Sequence, residues 1–212
     1  IDTPQNIISS IIILTAEYIE AHFGKFGKPT IKHQLLISNK ARNQIYTSES
    51  KILFFPDSKK LSYLITDTYK KPYDSMANEP SLQNLYSIKL LTEIVAKKLI
   101  GMKLDNTATK NRGQALERMT LELLGYKMAD NENLVGGFPD IPNQLLEVKV
   151  QDTQTVDLGR FTPEKEEVVV AENNLTTFDV RYLIALTNPK TDVIEGVILA
   201  PGKKLGEIFT YV

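Results

Sequence analysis

The sequence contains no cysteine and only two histidines, His22 and His33. The first absence excludes disulfides, thiolate zinc sites, iron–sulfur clusters and a cysteine nucleophile, and it fits a reducing intracellular compartment. The second leaves too few imidazoles for a multi-histidine metal centre. A long hydrophobic run is missing too: the apolar residues over 7–14 are interrupted by Ser9 and Ser10 and followed by Glu17 and Glu20, short of the roughly 20 apolar residues that a membrane helix needs. Nor does the chain open with the basic start and small-residue cleavage site of a secretory signal. A cytoplasmic protein with no membrane partner is therefore expected. The glycines at 24, 27, 136 and 137 lack the GxxxxGK[ST] setting, which argues against a nucleotide-phosphate loop. No internal repeat or low-complexity segment interrupts the pattern. The start at Ile1 and the stop at Val212 after an apolar stretch suggest a piece of a longer polypeptide.

What the chain does contain is an ordinary globular composition: 212 residues, 42% hydrophobic and 24% charged, enough for one sizeable core. The formal net charge of −1 hides an asymmetry. Residues 1–112 carry 16 Lys and Arg against 10 Asp and Glu, whereas residues 113–212 carry 9 against 16. A basic region beside an acidic one suits an enzyme whose carboxylates gather cations while its lysines meet phosphates. Two solvated surfaces of opposite sign would look the same.

Periodicity predicts a first helix with Thr3 as cap, apolar from Ile7 to Phe23, then a basic, turn-rich stretch that becomes helical near Thr30. Short strands over 51–55 and 61–66 read as a hairpin. Ser81 reads as the cap of a long helix carrying Leu85, Ile88, Leu91, Ile94, Val95 and Leu99, and a further helix covers 113–124, stopped by Gly125. Strands are expected over 145–150, 168–171, 180–186 and 193–199. Asn174-Leu175-Thr176 matches a glycosylation acceptor but reads as a turn without a secretory signal. The order of elements predicts an α/β (α+β) fold with a central mixed sheet flanked by helices. Residues 1–112 form a mainly helical lobe in this reading, and residues 113–212 a separate core.

The chemistry gathers in GFPDIPNQLLEVKV, residues 137–150. In a strand, Glu147 and Lys149 share one face, continued by Gln151 as a possible accessory group, while Leu146, Val148 and Val150 share the other. Charged residues on an otherwise apolar central strand carry a desolvation cost that a functional cleft explains. A turn at Asn143-Gln144 would fold the strand back beside Asp140 and bring two carboxylates together. Such a pair repels itself unless a divalent cation lies between, and hard oxygen donors select Mg²⁺. With Lys149 alongside to offset phosphate charge, the chemistry indicated is phosphodiester hydrolysis. The bland alternative is a surface hairpin with a weak Glu147–Lys149 ion pair.

Pro139, Asp140, Glu147 and Lys149 resemble the signature of the PD-(D/E)XK nuclease superfamily, and within it the type II restriction endonucleases. The resemblance covers 113 to about 199. It implies a restriction endonuclease-like core, Mg²⁺-dependent cleavage of double-stranded DNA, Asp140 and Glu147 as metal ligands, Lys149 as the catalytic lysine, and often a further acid from the preceding helix. On 113–124 that acid is Glu117, at the border of the stripe formed by Leu116, Met119, Thr120, Leu123 and Leu124, whereas Glu122 faces water. The family's helix after the lysine strand has no counterpart in the turn- and strand-like residues 151–174. A homodimer is expected, since two sites must cut two strands of a symmetric target, with recognition and dimer contacts in 1–112. Lys28, Lys32, Lys40, Arg42, Arg112, Arg160 and Arg181 are all candidates for reading bases. A repair or junction-resolving nuclease and a noncatalytic DNA-binding module of the same fold remain the alternatives.

Overall fold

The computed structural model describes residues 11–23, 33–70, 85–104, 109–126, 137–159 and 161–212. The chain divides into two compact units, Ile1–Ile31 and Lys32–Val212. This boundary differs from the expected one at 112, because strands from the first half are built into sheets with strands from the second.

In the first unit the helix is shorter than periodicity suggests: α1 covers Ala16–Phe23. Residues 11–15 are not helical, and the expected cap at Thr3 lies outside the described residues. Thr15 sets the start instead, its hydroxyl accepting from the Tyr18 amide at 3.1 Å, while the β-branched Ile11–Ile13 run before it is a poor helix former.

The second unit runs β1 (His33–Leu36), α2 (Asn39–Thr47), β2 (Ile52–Phe54), β3 (Ile65–Thr66), β4 (Leu85–Tyr86), α3 (Ile88–Leu91), α4 (Lys97–Leu99), α5 (Thr109–Leu124), β5 (Leu146–Gln151), β6 (Thr155–Gly159), β7 (Val168–Val170), β8 (Leu175–Thr176), β9 (Arg181–Thr187), β10 (Ile194–Pro201), α6 (Gly202–Ile208) and β11 (Thr210–Tyr211). It is a mixed α+β fold. The central sheet has the order β2-β10-β9-β5. β10 and β9 are antiparallel, and both outer strands lie parallel to their neighbours. A second sheet, β11-β1-β6, and two short ribbons, β3-β4 and β7-β8, complete the set among the described residues.

Two apolar clusters sandwich the central sheet. On one face Leu146, Val148, Leu183, Ala185, Val197 and Leu199 pack with Leu91, Val95 and Leu99 and with Leu116, Leu121 and Leu124 of α5. On the other, Tyr182, Ile184, Leu186, Ile198 and Ala200 pack with Leu35, Val156 and Leu158 of the second sheet and with Ile45 and Leu205. Full burial of such side chains contributes about 1.5–3 kcal/mol each before entropy is charged.

Several expectations give way to local chemistry. The helix expected from Thr30 is strand β1 over His33–Leu36, whose Leu35 is fully buried, and the helix begins only after Ser38 caps it through the Ala41 amide. No hairpin joins 51–55 to 61–66: β2 pairs with β10 and β3 with β4. The turn between them is tied elsewhere, by Asp57 accepting from the Ile88 amide at 2.7 Å and Ser58 donating to Asp179 at 2.7 Å. Ser81 lies outside the described residues. Leu85 and Tyr86 are strand, and Ser87 caps the next helix through the Leu90 amide. That helix is broken by a π-turn, Thr92–Ala96, before α4 closes it. Asn174 sits in the left-handed region at φ 49°, turning the chain between β7 and β8.

Candidate active site

The helix α5 ends at Gly125, whose φ of 97° suits only glycine without strain. The Tyr126 amide returns to the Leu121 carbonyl at 3.0 Å and the Gly125 amide to Glu122 at 2.9 Å, a Schellman closure. Leu116, Thr120, Leu121 and Leu124 are buried against the sheet, Glu117 is half-buried at the border, and Glu122 is exposed. The expected division between the two acids is the observed one.

Asp140 precedes a tight reversal. Ile141 and Leu146 bridge each other, Ile141 amide to Leu146 carbonyl 2.9 Å and the return bond 3.2 Å. The turn between them is a 3-10 turn, Pro142–Gln144, closed by Leu145 in the left-handed region. Buried Arg181 holds this turn, its guanidinium donating to the carbonyls of Gln144 and Tyr86. The reversal places Asp140 beside the outer edge of β5, where its Oδ2 accepts from the Val148 amide at 2.8 Å.

Glu147 and Lys149 project from the same face of β5. Glu147 is 3% exposed; its Oε2 accepts from the Asp140 amide at 3.0 Å, and its Oε1 is in contact with the Lys149 ammonium. Lys149 Nζ lies 3.8 Å from Asp140 Oδ2. Three of the residues singled out from sequence are thus brought together by a nine-residue reversal, positions 140–148, and one further strand step. Burial pushes the Glu147 carboxyl up, Lys149 pulls it back, and Asp140 adds to the rise. Burial works against the charge on Lys149, yet Glu147 and Asp140 together hold its pKa above the ordinary value.

Glu117 belongs to the same electrostatic group. Its carboxyl is pushed up to about 7, first by burial and then by the negative charges of Asp140 and Glu147. Among the described residues no three Asp, Glu, His or Cys side chains are grouped closely enough to hold a metal ion as they stand. The Lys149 ammonium contacts Glu147 and lies near Asp140. Even so, the donor chemistry fits a hard divalent cation: Asp140, Glu147 and Glu117 offer carboxylate oxygens within one another's field, with a single ammonium, that of Lys149, among them.

The remaining candidates have other employment. Gln151 is fully buried, and its amide nitrogen donates to the carbonyls of Gln154 at 2.9 Å and Ile37 at 3.3 Å. It secures the turn that follows β5. Arg42 donates to Thr153 and Thr187 carbonyls and to Tyr46. Arg112 pairs with Asp152 and Asp192. With Arg181 also buried, these three guanidiniums are engaged within the fold. Lys40 is exposed, and Lys28, Lys32 and Arg160 lie outside the described residues.

One neighbour of the site escaped sequence reasoning. Tyr182 stands opposite Glu147 in the β5–β9 register, fully buried, with a phenol raised well above its usual range by burial and by Glu147. Alternation in 181–187 puts Tyr182 on one face with Ile184, but only strand pairing sets it next to Glu147. No helix is long and apolar enough to cross a membrane among the described residues. No protein-family model, curated protein or solved structure matches this chain.

Proposed function

We propose that this protein is a Mg²⁺-dependent nuclease with a PD-(D/E)XK, restriction endonuclease-like core, and that it hydrolyses phosphodiester bonds of double-stranded DNA as a type II endonuclease acting as a homodimer. The observation that carries the reading is the convergence of Asp140, Glu147 and Lys149 at the outer strand of a mixed sheet, with Glu117 in their field from the packed helix. An acidic pair of this kind is expensive to bury without a use.

Asp140 and Glu147 would hold the ion, with Glu117 as the accessory acid. When bound, the ion supplies Lewis-acid stabilisation of the charge that develops on the phosphoryl oxygens. Lys149 would carry the rest of the electrostatic work, its ammonium kept charged by the carboxylates beside it and placed to meet a phosphate oxygen or to orient the attacking water. The Asp140 amide fixes the Glu147 carboxylate, and the Val148 amide fixes that of Asp140, so both acids keep their aim while charge is redistributed.

Digestion of a long linear DNA of mixed sequence tests the reading. Discrete fragments that require Mg²⁺, disappear in EDTA and are lost in Lys149→Ala and Asp140→Asn are expected. Uncut DNA with folded protein, or cleavage indifferent to both substitutions, overturns it.

A further inference from the structure

A cavity of about 540 Å³ lies apart from the acidic group and is lined by two lysine doublets, Lys59-Lys60 and Lys203-Lys204. Strand register fixes where it is. Leu146 at the start of β5 stands opposite Arg181, Arg181 opposite Pro201 at the end of β10, and Leu199 opposite Phe54 at the end of β2. The cavity is built from the segments that leave β2 and β10 and enter β9, so it opens at the end of the central sheet where Glu147 sits. The face agrees as well. Leu61 and Leu205, which follow the two doublets directly, are buried in the same cluster as Tyr182 and Ile184, the cluster on the side that bears Glu147 and Lys149.

Charge bookkeeping favours an anion there. Asp57 is turned inward to the Ile88 amide and to Arg181 at 3.5 Å. Asp179 accepts from Ser58 and from the Thr176 amide and faces Lys60 at 3.5 Å. Glu207 pairs with Lys204. Each of these acids is answered by a cation. The fourth acid of the lining, Glu166, accepts from the Thr176 hydroxyl at 3.2 Å, and Lys59 and Lys203 are both exposed and in no ion pair among the described residues. Lys204 and Glu207 are both well exposed, at 40% and 48%, and an exposed ion pair of this kind contributes so little that the Lys204 ammonium can exchange its partner for phosphate, whereas Lys60 stays with the buried Asp179.

Resting on the nuclease reading, we infer that the lysine-lined cavity cradles the DNA backbone a few phosphates away from the bond being cut. The spacing is suitable. Strands lie about 4.8 Å apart, so the segments leaving β10 and β2 are about 10–14 Å from β5. A duplex strand rises about 3.4 Å of axis per phosphate but winds as it rises, so successive phosphates are roughly 7 Å apart in space and the cradle lies about two phosphates from the site. The acidic group repels DNA in the absence of cations; a cradle on the same sheet end supplies the opposing attraction and sets the register of the strand.

The test uses the full chain, a fluorescein-labelled 30-base-pair duplex and anisotropy in EDTA from 50 to 200 mM KCl, with cleavage in Mg²⁺ measured alongside. Lys59→Gln with Lys203→Gln is compared with Lys98→Gln and Lys103→Gln, two exposed lysines on segments packed against the opposite face of the sheet, and unchanged circular dichroism confirms folding. The cradle pair should weaken binding at least tenfold and flatten the log–log salt slope by about 1.8, at about 0.9 per contact. The control pair should stay within twofold. A wild type that cuts DNA, with cradle and control pairs binding alike, overturns the cradle and leaves the active site standing. A wild type that neither binds nor cuts DNA overturns both.

Discussion

The two faces of β5 are made from alternate residues of one six-residue strand, yet they differ in kind. Leu146 and Val148 enter an apolar cluster beneath α5. Glu147, one step away, is as enclosed but carries a carboxyl group, and Lys149 beside it is only partly buried. A strand that only needed to hold the sheet together would be apolar on both sides, as β9 largely is over Leu183–Leu186. The difference teaches that one face holds the strand in place so that the other can keep an unfavourable group in a fixed arrangement.

The sharpest way to break that contrast is to act on each face separately. Lys149→Ala should lower cleavage by about 10²–10³-fold, the scale of losing one transition-state donor, while leaving the fold intact by circular dichroism. Leu183→Ala, on the apolar face, should do the reverse: a loss of about 2–5 kcal/mol in urea unfolding, with kcat retained wherever the protein stays folded. A variant pair that moved both readouts together would erase the distinction.

A smaller effect is expected from Glu117, and its sign follows from the folded carboxyl lying at about 7, above the 4.5 of the free group. The folded state favours the proton, so stability falls as pH rises from about 4.5 to about 7, and the penalty is complete above that. Glu117→Gln should therefore stabilise the metal-free protein at pH 8 by about 1 kcal/mol, allowing for solvent screening of a half-buried group, and hardly at all at pH 4. Thermal melts at the two pH values check it, and added Mg²⁺ should reverse the order at pH 8 by stabilising the wild type. Smallest of all, Glu122→Gln on the exposed flank should change unfolding free energy by no more than about 0.5 kcal/mol.

The same contrast explains what could be read from sequence. The face of β5 that points to the core, the reversal at Asn143-Gln144 and the separation of Glu117 from Glu122 all depend on residues within about one helical turn or strand pair, and periodicity reaches that far. The short strands did not follow from it. β1 needed β6 and β11 as partners, over a hundred residues away in sequence, and the 56–60 turn was claimed by Ile88 and Asp179 rather than by a hairpin. Ser87 rather than Ser81 starts α3, because Leu85 and Tyr86 are held in a strand with Ile65 and Thr66. Arg42, Arg112 and Arg181 looked available for a groove on charge alone. Carbonyl partners in the interior engage Arg42 and Arg181, and two carboxylates engage Arg112, none of which a local pattern encodes.

Asp140 has one more consequence, through its bond to the Val148 amide. β5 is the last strand of its sheet, and at this point the outward N–H is already taken by a charged side chain. An open edge of that sort is a template on which a strand from another molecule can dock and begin aggregation, and an inward-turned carboxylate is one way in which proteins refuse it. Asp140 thus closes this point of the sheet edge. Its replacement by alanine should cost solubility as well as chemistry, whereas asparagine, whose carbonyl can still accept from Val148, should keep the edge closed.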